Sequence, residues 1–209
     1  MVLELTRSWV VGLALVRRSP VPVELPWGMR VDVGRPRERA RYVLLRGDED
    51  TLRDIAAQAA EPTSRILTFL APERASAVLG PAWQLRDAEL LMTAPLRRIA
   101  ARVPDGYEVD TVGDGAVTHV RVRTADGETA AAGYVAVHGA VAVVDRVETY
   151  PTHQRRGLGT LVMHVLTEAA PASGARSAVL SATQEGRALY TFLGWVPRAS
   201  LAVFVRLSH

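Results

Sequence analysis

The sequence predicts an α+β fold built on a central mixed sheet, and two observations carry that prediction. In the second half, three alternating apolar runs close at Gly113-Asp114-Gly115, Ala125-Asp126-Gly127 and His138-Gly139, the signature of an antiparallel meander. After them comes a helical pattern, in which Leu158, Leu161, Val162, Val165, Leu166 and Ala169 recur at i, i+3, i+4 spacing.

The elements follow in order. An apolar run from Trp9 to Val16 is broken by Pro20, Pro22 and Pro26. Its eight residues are too few to span a bilayer, and Arg17-Arg18 follow it, the wrong charge order for a secretion signal. The expectation is a cytoplasmic protein with no membrane partner. Arg30 to Val33 and Tyr42 to Leu45 read as strands, and Glu49 to Ala60 as a helix with Leu52, Ile55, Ala56 and Ala59 on one face. Ile66 to Leu70 reads as a strand, Pro72 to Leu79 as a helix with proline in its first turn, and Glu89 to Thr93 as a strand. A basic connection from Pro95 to Pro104 divides residues 1–100 from residues 101–209. The second half then runs Tyr107 to Val112, Val117 to Arg123, Ala131 to Val137 and Val141 to Thr149 as strands. The helix from Leu158 to Ala170 follows, ended by Pro171, and after it a strand from Ser177 to Ala182, a helix from Gly186 to Leu193 and a strand from Leu201 to Leu207.

Composition excludes several chemistries. The chain of 209 residues has no lysine, so no Schiff base, pyridoxal phosphate site or phosphate-loop lysine can exist. Without cysteine there is no thiolate nucleophile and no cysteine zinc site, which favours direct transfer over a cysteinyl acyl-enzyme. The histidines His138, His153 and His164 have no metal-ligand spacing, so no metal is expected. All 25 positive residues are arginine, densest at Arg35-Pro36-Arg37-Glu38-Arg39-Ala40-Arg41, Arg97-Arg98 and Arg155-Arg156, yet the net charge is only +3. A nucleic-acid binder would need one coherent basic face with stacking aromatics, so nucleic acid is not the expected partner.

The segment Glu148-Thr149-Tyr150-Pro151-Thr152-His153-Gln154-Arg155-Arg156-Gly157-Leu158-Gly159-Thr160 joins a strand to an amphipathic helix through a glycine-punctuated turn. Free amides at the positive end of a helix bind phosphate without lysine. Gln154-Arg155-Arg156-Gly157-Leu158-Gly159 resembles the pyrophosphate-binding motif of the GNAT superfamily of acyl-CoA-dependent N-acyltransferases, (Gln/Arg)-x-x-Gly-x-(Gly/Ala). The resemblance implies a GNAT fold with acetyl-CoA as co-substrate. It implies a pyrophosphate held by amides from about Arg156 to Thr160, and a pantetheine arm paired along the strand at Val147 and Thr149. A second stretch, Ser181-Ala182-Thr183-Gln184-Glu185-Gly186-Arg187-Ala188-Leu189-Tyr190-Thr191-Phe192-Leu193-Gly194-Trp195, resembles the later GNAT motif, in which the tyrosine protonates the departing thiolate. That role would fall to Tyr190.

The attacking amine needs a base. Asp145 and Glu148 lie on the preceding strand, at positions of opposite parity if the strand is regular. Members of the resembled family often carry a bulge there, so the choice between them stays open. The first half repeats part of the second. Ile66 to Leu96 reads strand, helix, Gly-x-x-Trp, strand, as Ala178 to Leu207 reads strand, helix, Gly-Trp, strand, with Ala77 standing where Tyr190 does. This implies a degenerate, non-catalytic GNAT-like first half, a degenerate tandem, beside a catalytic second half. It also implies that the first half walls the acceptor pocket. The expected activity is N-acetyl transfer to an amine on a small molecule or protein. The alternatives are a non-catalytic acyl-CoA-binding module or a GNAT-fold protein that has abandoned CoA, and a homodimer is compatible with each.

Overall fold

The computed structural model describes residues 2–97, 99–170 and 174–208; Arg98 and the helix-ending Pro171 lie outside the described residues. The chain opens with α1 (Val2–Val16), followed by β1 (Val23–Leu25), β2 (Gly28–Val31) and β3 (Arg41–Leu44). It then alternates through α2 (Glu49–Gln58), β4 (Arg65–Thr68), α3 (Pro72–Leu79) and β5 (Trp83–Pro95). The second half runs β6 (Tyr107–Asp114), β7 (Val117–Thr124), β8 (Thr129–His138) and β9 (Val141–Thr149), then a 3-10 turn at Pro151–His153. It closes with α4 (Leu158–Ala169), β10 (Ser177–Ala182), α5 (Arg187–Phe192) and β11 (Val196–Arg206).

All the strands form one 11-stranded mixed sheet in the order β1-β2-β3-β4-β11-β5-β10-β9-β8-β7-β6. The order is symmetric about the central pair of β11 and β5. β4 and β10 flank that pair, then come β3 and β9, β2 and β8, and β1 and β7. Directions match as well: β3–β4 and β9–β10 are parallel, while β4–β11 and β10–β5 are antiparallel. Each half therefore places its last strand between two strands of the other. β11 lies between β4 and β5, and β5 lies between β11 and β10. The anticipated repeat is a repeat of topology.

Side-chain alternation assigns each face its cover. On one face Trp9, Val10 and Leu13 of α1 pack on Val43, Leu67, Val143, Val179 and Val203, which come from both halves. On the other, α2 and α3 bury Leu52, Ile55 and Leu79 against Tyr42, Ile66 and Phe204. Leu161, Val162 and Leu166 of α4 cover Val120, Val122 and Val135 of the meander on that same side. A Cβ at Gly12 would come within 2.3 Å of Val143 Cγ2, so this glycine lets α1 lie close on β9.

Besides β1, a strand that the proline-broken segment did not suggest, three elements differ from the sequence reading. α1 runs from Val2, where only an apolar run from Trp9 was visible; the buried Thr6, Trp9, Val10 and Leu13 carry the helical period. β5 begins at Trp83 and not at Glu89, because Gln84 to Ala88 are exposed and show no apolar alternation. β11 begins at Val196 and not at Leu201, crossing a register shift between Pro197 and Ala199 that accommodates a residue with no N–H to donate. Among the described residues no helix is long and apolar enough to cross a membrane.

Candidate active site

β9 and β10 pair only from Val141↔Ser177 to Val143↔Val179, although β9 continues to Thr149 and β10 to Ala182. Beyond Val143 the parallel strands part, and the outer half of β9 faces an open wedge without a strand partner on that side. In the same stretch the β8–β9 register shifts between Ala132 and Tyr134. Two residues, Arg146 and Val147, thus oppose Gly133, and Arg146 has a left-handed φ of 53°. This is a β-bulge. It corrects the parity argument, since Asp145 opposes Tyr134 and Glu148 opposes Ala132, positions two apart. The inserted residue turns both carboxylates to one face of the sheet.

The turn after β9 is shaped by two left-handed residues, Arg155 at φ 63° and Gly157 at φ 79°. Gly157 is the N-cap of α4, and no side chain caps that helix. The amides of the first helical turn have no intrahelical partners, so they stay available at the positive end of the dipole. A Cβ at Gly159 would lie 3.0 Å from Leu189 Cδ2, so glycine also keeps the turn close to α5. Gln154 Nε2 donates to the Thr149 carbonyl at 3.2 Å, bracing strand and turn together. Arg156 points away, donating to Tyr107 Oη at 3.0 Å, and Tyr107 Oη lies 3.1 Å from His153 Nδ1. This chain ties the turn to β6.

Tyr190 is 9% exposed, with its ring 6.1 Å from that of Trp195. Burial first, and then the charge of Asp145, push its phenol up to about 12. Asp145 itself accepts both Arg17 Nε at 2.8 Å and Arg17 Nη2 at 3.0 Å. Burial works to lower the Arg17 pKa, but the bonds and charge of Asp145 outweigh it and the net shift is upward. Glu148 is exposed and forms no ion pair or hydrogen bond among the described residues. Of the two carboxylates, one is committed and one is free.

These groups meet in one cleft of about 1070 Å³. Every residue singled out from the sequence lines it except Arg156: Tyr190, Glu148 and Asp145, the strand residues Val147 and Thr149, and the turn residues Gln154, Arg155, Gly157, Leu158, Gly159 and Thr160. The first half was expected to wall the pocket, but sequence reasoning named none of the residues that do so, which include Trp9, Leu13, Arg17, Arg41, Arg65 and Glu89. Only their placement by α1, β3, β4 and β5 brings them here. A local signal existed for Arg41 alone, as part of the arginine-dense run.

The first half has a counterpart to the turn, and it is closed. α2 is capped by Asp48, whose carboxylate accepts from the Thr51 amide at 3.0 Å, and Glu49 and Asp50 follow in the first turn. Negative charge already fills the place where an anion would sit, and α3 contains no tyrosine.

The splayed parallel pair, the bulged strand and the uncapped glycine turn define an acyltransferase-type fold. Residues 96–195 match the model of the acetyltransferase (GNAT) family. That stretch, a little under half of the chain, carries the likeness to a GNAT acetyltransferase domain. A GCN5-related N-acetyltransferase from Kribbella flavida has a similar structure, with 18% identity over 99% of this chain and 96% of that one, at a TM-score of 0.70. A GNAT-family protein from Novosphingobium aromaticivorans matches at 16% identity over 97% and 96% of the two chains, with a TM-score of 0.62. A tandem GNAT protein from the clavulanic acid biosynthesis pathway matches at 15% identity over 73% of this chain and 66% of that one, with a TM-score of 0.55. These likenesses are of fold, and they extend it across both halves. Among curated proteins none matches the sequence.

Proposed function

We propose that the protein is an N-acetyltransferase that moves an acetyl group from acetyl-CoA to an amine by direct transfer in a ternary complex. The observation that carries this reading is the shared cleft, in which an uncapped helix N-terminus, an open strand edge, a buried tyrosine and a free carboxylate meet. Amides from Arg156 to Thr160 would hold the pyrophosphate, with Arg155 adding charge at the cleft wall. Val147 and Thr149 on the open edge of β9 would pair with the pantetheine. The acetyl group the co-substrate supplies is then delivered into the wedge between β9 and β10.

The geometry supports a division of labour. Glu148, free and facing the cleft, takes the proton of the amine directly or through one water. Asp145 holds Arg17 and shapes the acceptor side. A backbone amide near the bulge at Val147 polarises the thioester carbonyl, where negative charge develops during attack. The new N–C bond forms as the C–S bond breaks, and Tyr190 gives its proton to the departing sulfur. Residues 101–209 carry this chemistry. Residues 1–100 form a non-catalytic GNAT-like half whose own phosphate turn is blocked by Asp48, and which walls the acceptor side.

Two measurements test the reading. Acetyl-CoA should raise the unfolding temperature, growing with ligand as RT ln(1 + [L]/Kd), and amines should release free CoA thiol. Glu148→Gln should lower kcat/KM about 10²-fold while keeping the acetyl-CoA stabilisation. Stabilisation by acetyl-CoA with no thiol release across a broad amine screen would favour a binding module over an enzyme.

A further inference from the structure

A side chamber of about 230 Å³ opens off the acceptor end of the cleft, sharing Leu13, Arg17, Arg41, Arg65 and Arg146 with it. Six arginines line the chamber (Arg17, Arg35, Arg37, Arg41, Arg65 and Arg146), and Glu38 is the one carboxylate among its lining residues. The arginine-dense run singled out in the sequence supplies Arg35, Arg37 and Arg41. None of them belongs to the phosphate turn, which precedes α4.

The ion pairs do not neutralise this concentration of charge. Glu38 accepts from Arg41 Nε at 2.6 Å. Its other oxygen stands 3.4 Å from Arg65 Nε, within charge-pair range but not aligned as a hydrogen bond. Arg65 Nε is accordingly buried without a hydrogen-bond partner among the described residues. Asp145, at the boundary of the cleft, engages Arg17, and Arg35 donates to the Arg17 carbonyl. Six guanidinium groups against Glu38 in the chamber, and Asp145 and Glu89 at its boundary with the cleft, leave an excess of three positive charges. Guanidinium groups cannot shed this charge by losing protons. Arg41, 6% exposed, shows the strain: burial first, and then the neighbouring Arg17, hold it below the usual arginine value, with Arg65 adding to the repulsion. A buried, unpartnered guanidinium nitrogen in a cationic concavity is satisfied by an oxyanion, which accepts fork-like hydrogen bonds and offsets the repulsion.

The geometry points to an anion subsite for the acceptor. The acceptor is an amine that also carries an oxyanion, a carboxylate or a phosphate, seated against Arg65 and Arg41 with its amine turned toward Glu148. This deepens the acetyltransferase reading and rests on it for the word acceptor, although the subsite itself can be measured by binding alone.

The test is calorimetric titration of the full chain saturated with CoA, which supplies no acyl group to react. Matched pairs are compared: L-amino acids with their α-carboxamides, and O-phosphoethanolamine with ethanolamine. In at least one set the anionic member should bind tenfold or more tightly than its neutral partner, and the set that discriminates identifies carboxylate or phosphate. Arg65→Gln should erase that preference and Arg65→Lys should restore part of it. The exposed Arg37→Gln, which threatens the fold least, should reduce the preference about threefold. Equal affinities within every pair, no binding of any anionic member, or an undiminished preference in both glutamine variants would overturn the proposal. If acetyl-CoA neither binds nor is consumed, the acetyltransferase reading fails instead, and the anionic preference is still read on the CoA-free protein.

Discussion

Replacing Gly157 with glutamate should abolish stabilisation by acetyl-CoA while leaving the fold intact. Gly157 sits at φ 79°, where a residue with a Cβ costs about 1–2 kcal/mol. Nothing lies within 4 Å of the position a Cβ would take, so no clash adds to that cost. The new carboxylate would stand at the uncapped N-terminus of α4 and satisfy amides there, recovering part of the loss. The same carboxylate would repel a pyrophosphate from those amides. The wild type at 100-fold Kd of acetyl-CoA should gain about 2.7 kcal/mol, roughly 5–10 °C for a chain of this size. The glutamate variant should gain nothing, and Gly157→Ala, which carries the backbone cost without the charge, should fall between. A glutamate variant stabilised as fully as the wild type would remove this turn from the donor site. Asp48, already standing at the start of α2, is the same substitution made by the sequence itself in the first half.

Tyr190→Phe should lower kcat about 10²-fold or more with the acetyl-CoA affinity unchanged, because only the proton donor is lost and the ring still packs on Trp195. The pH dependence separates this from a packing effect. Burial followed by the charge of Asp145 raises the phenol to about 12, so its acid form is favoured. At pH 10 an ordinary tyrosine would be about half ionised, whereas this one stays about 99% protonated. Activity should therefore show no alkaline loss attributable to Tyr190 up to about pH 10. Unchanged turnover in the phenylalanine variant would take Tyr190 out of the mechanism.

Much of the fold was legible because its signals are local. Asp-Gly turns between alternating runs announced the meander, and both α4 and the glycine turn before it are written in consecutive residues. The half-repeat was visible for the same reason, since strand, helix and glycine succeed one another over some thirty residues in each copy. The family resemblance allowed for a bulge, but no local signal placed it. It exists because β8 and β9 differ by one residue in register, which neither strand encodes alone, and it decides that Asp145 and Glu148 face the same way.

The sequence by itself determined the side proposed to hold the donor: the strand, the turn, the helix after it and Tyr190 all fall between Val141 and Trp195, where spacing along the chain implies proximity in space. Only the tertiary structure decided which residues line the proposed acceptor side. Arg17 reaches Asp145 across 128 positions, β5 and β11 exchange between halves, and arginines from the residue after α1, the β2–β3 connection, β3, β4 and β9 converge on one chamber. Such contacts are set by which faces bury apolar surface against which, a property of the assembled sheet that no local window of sequence contains.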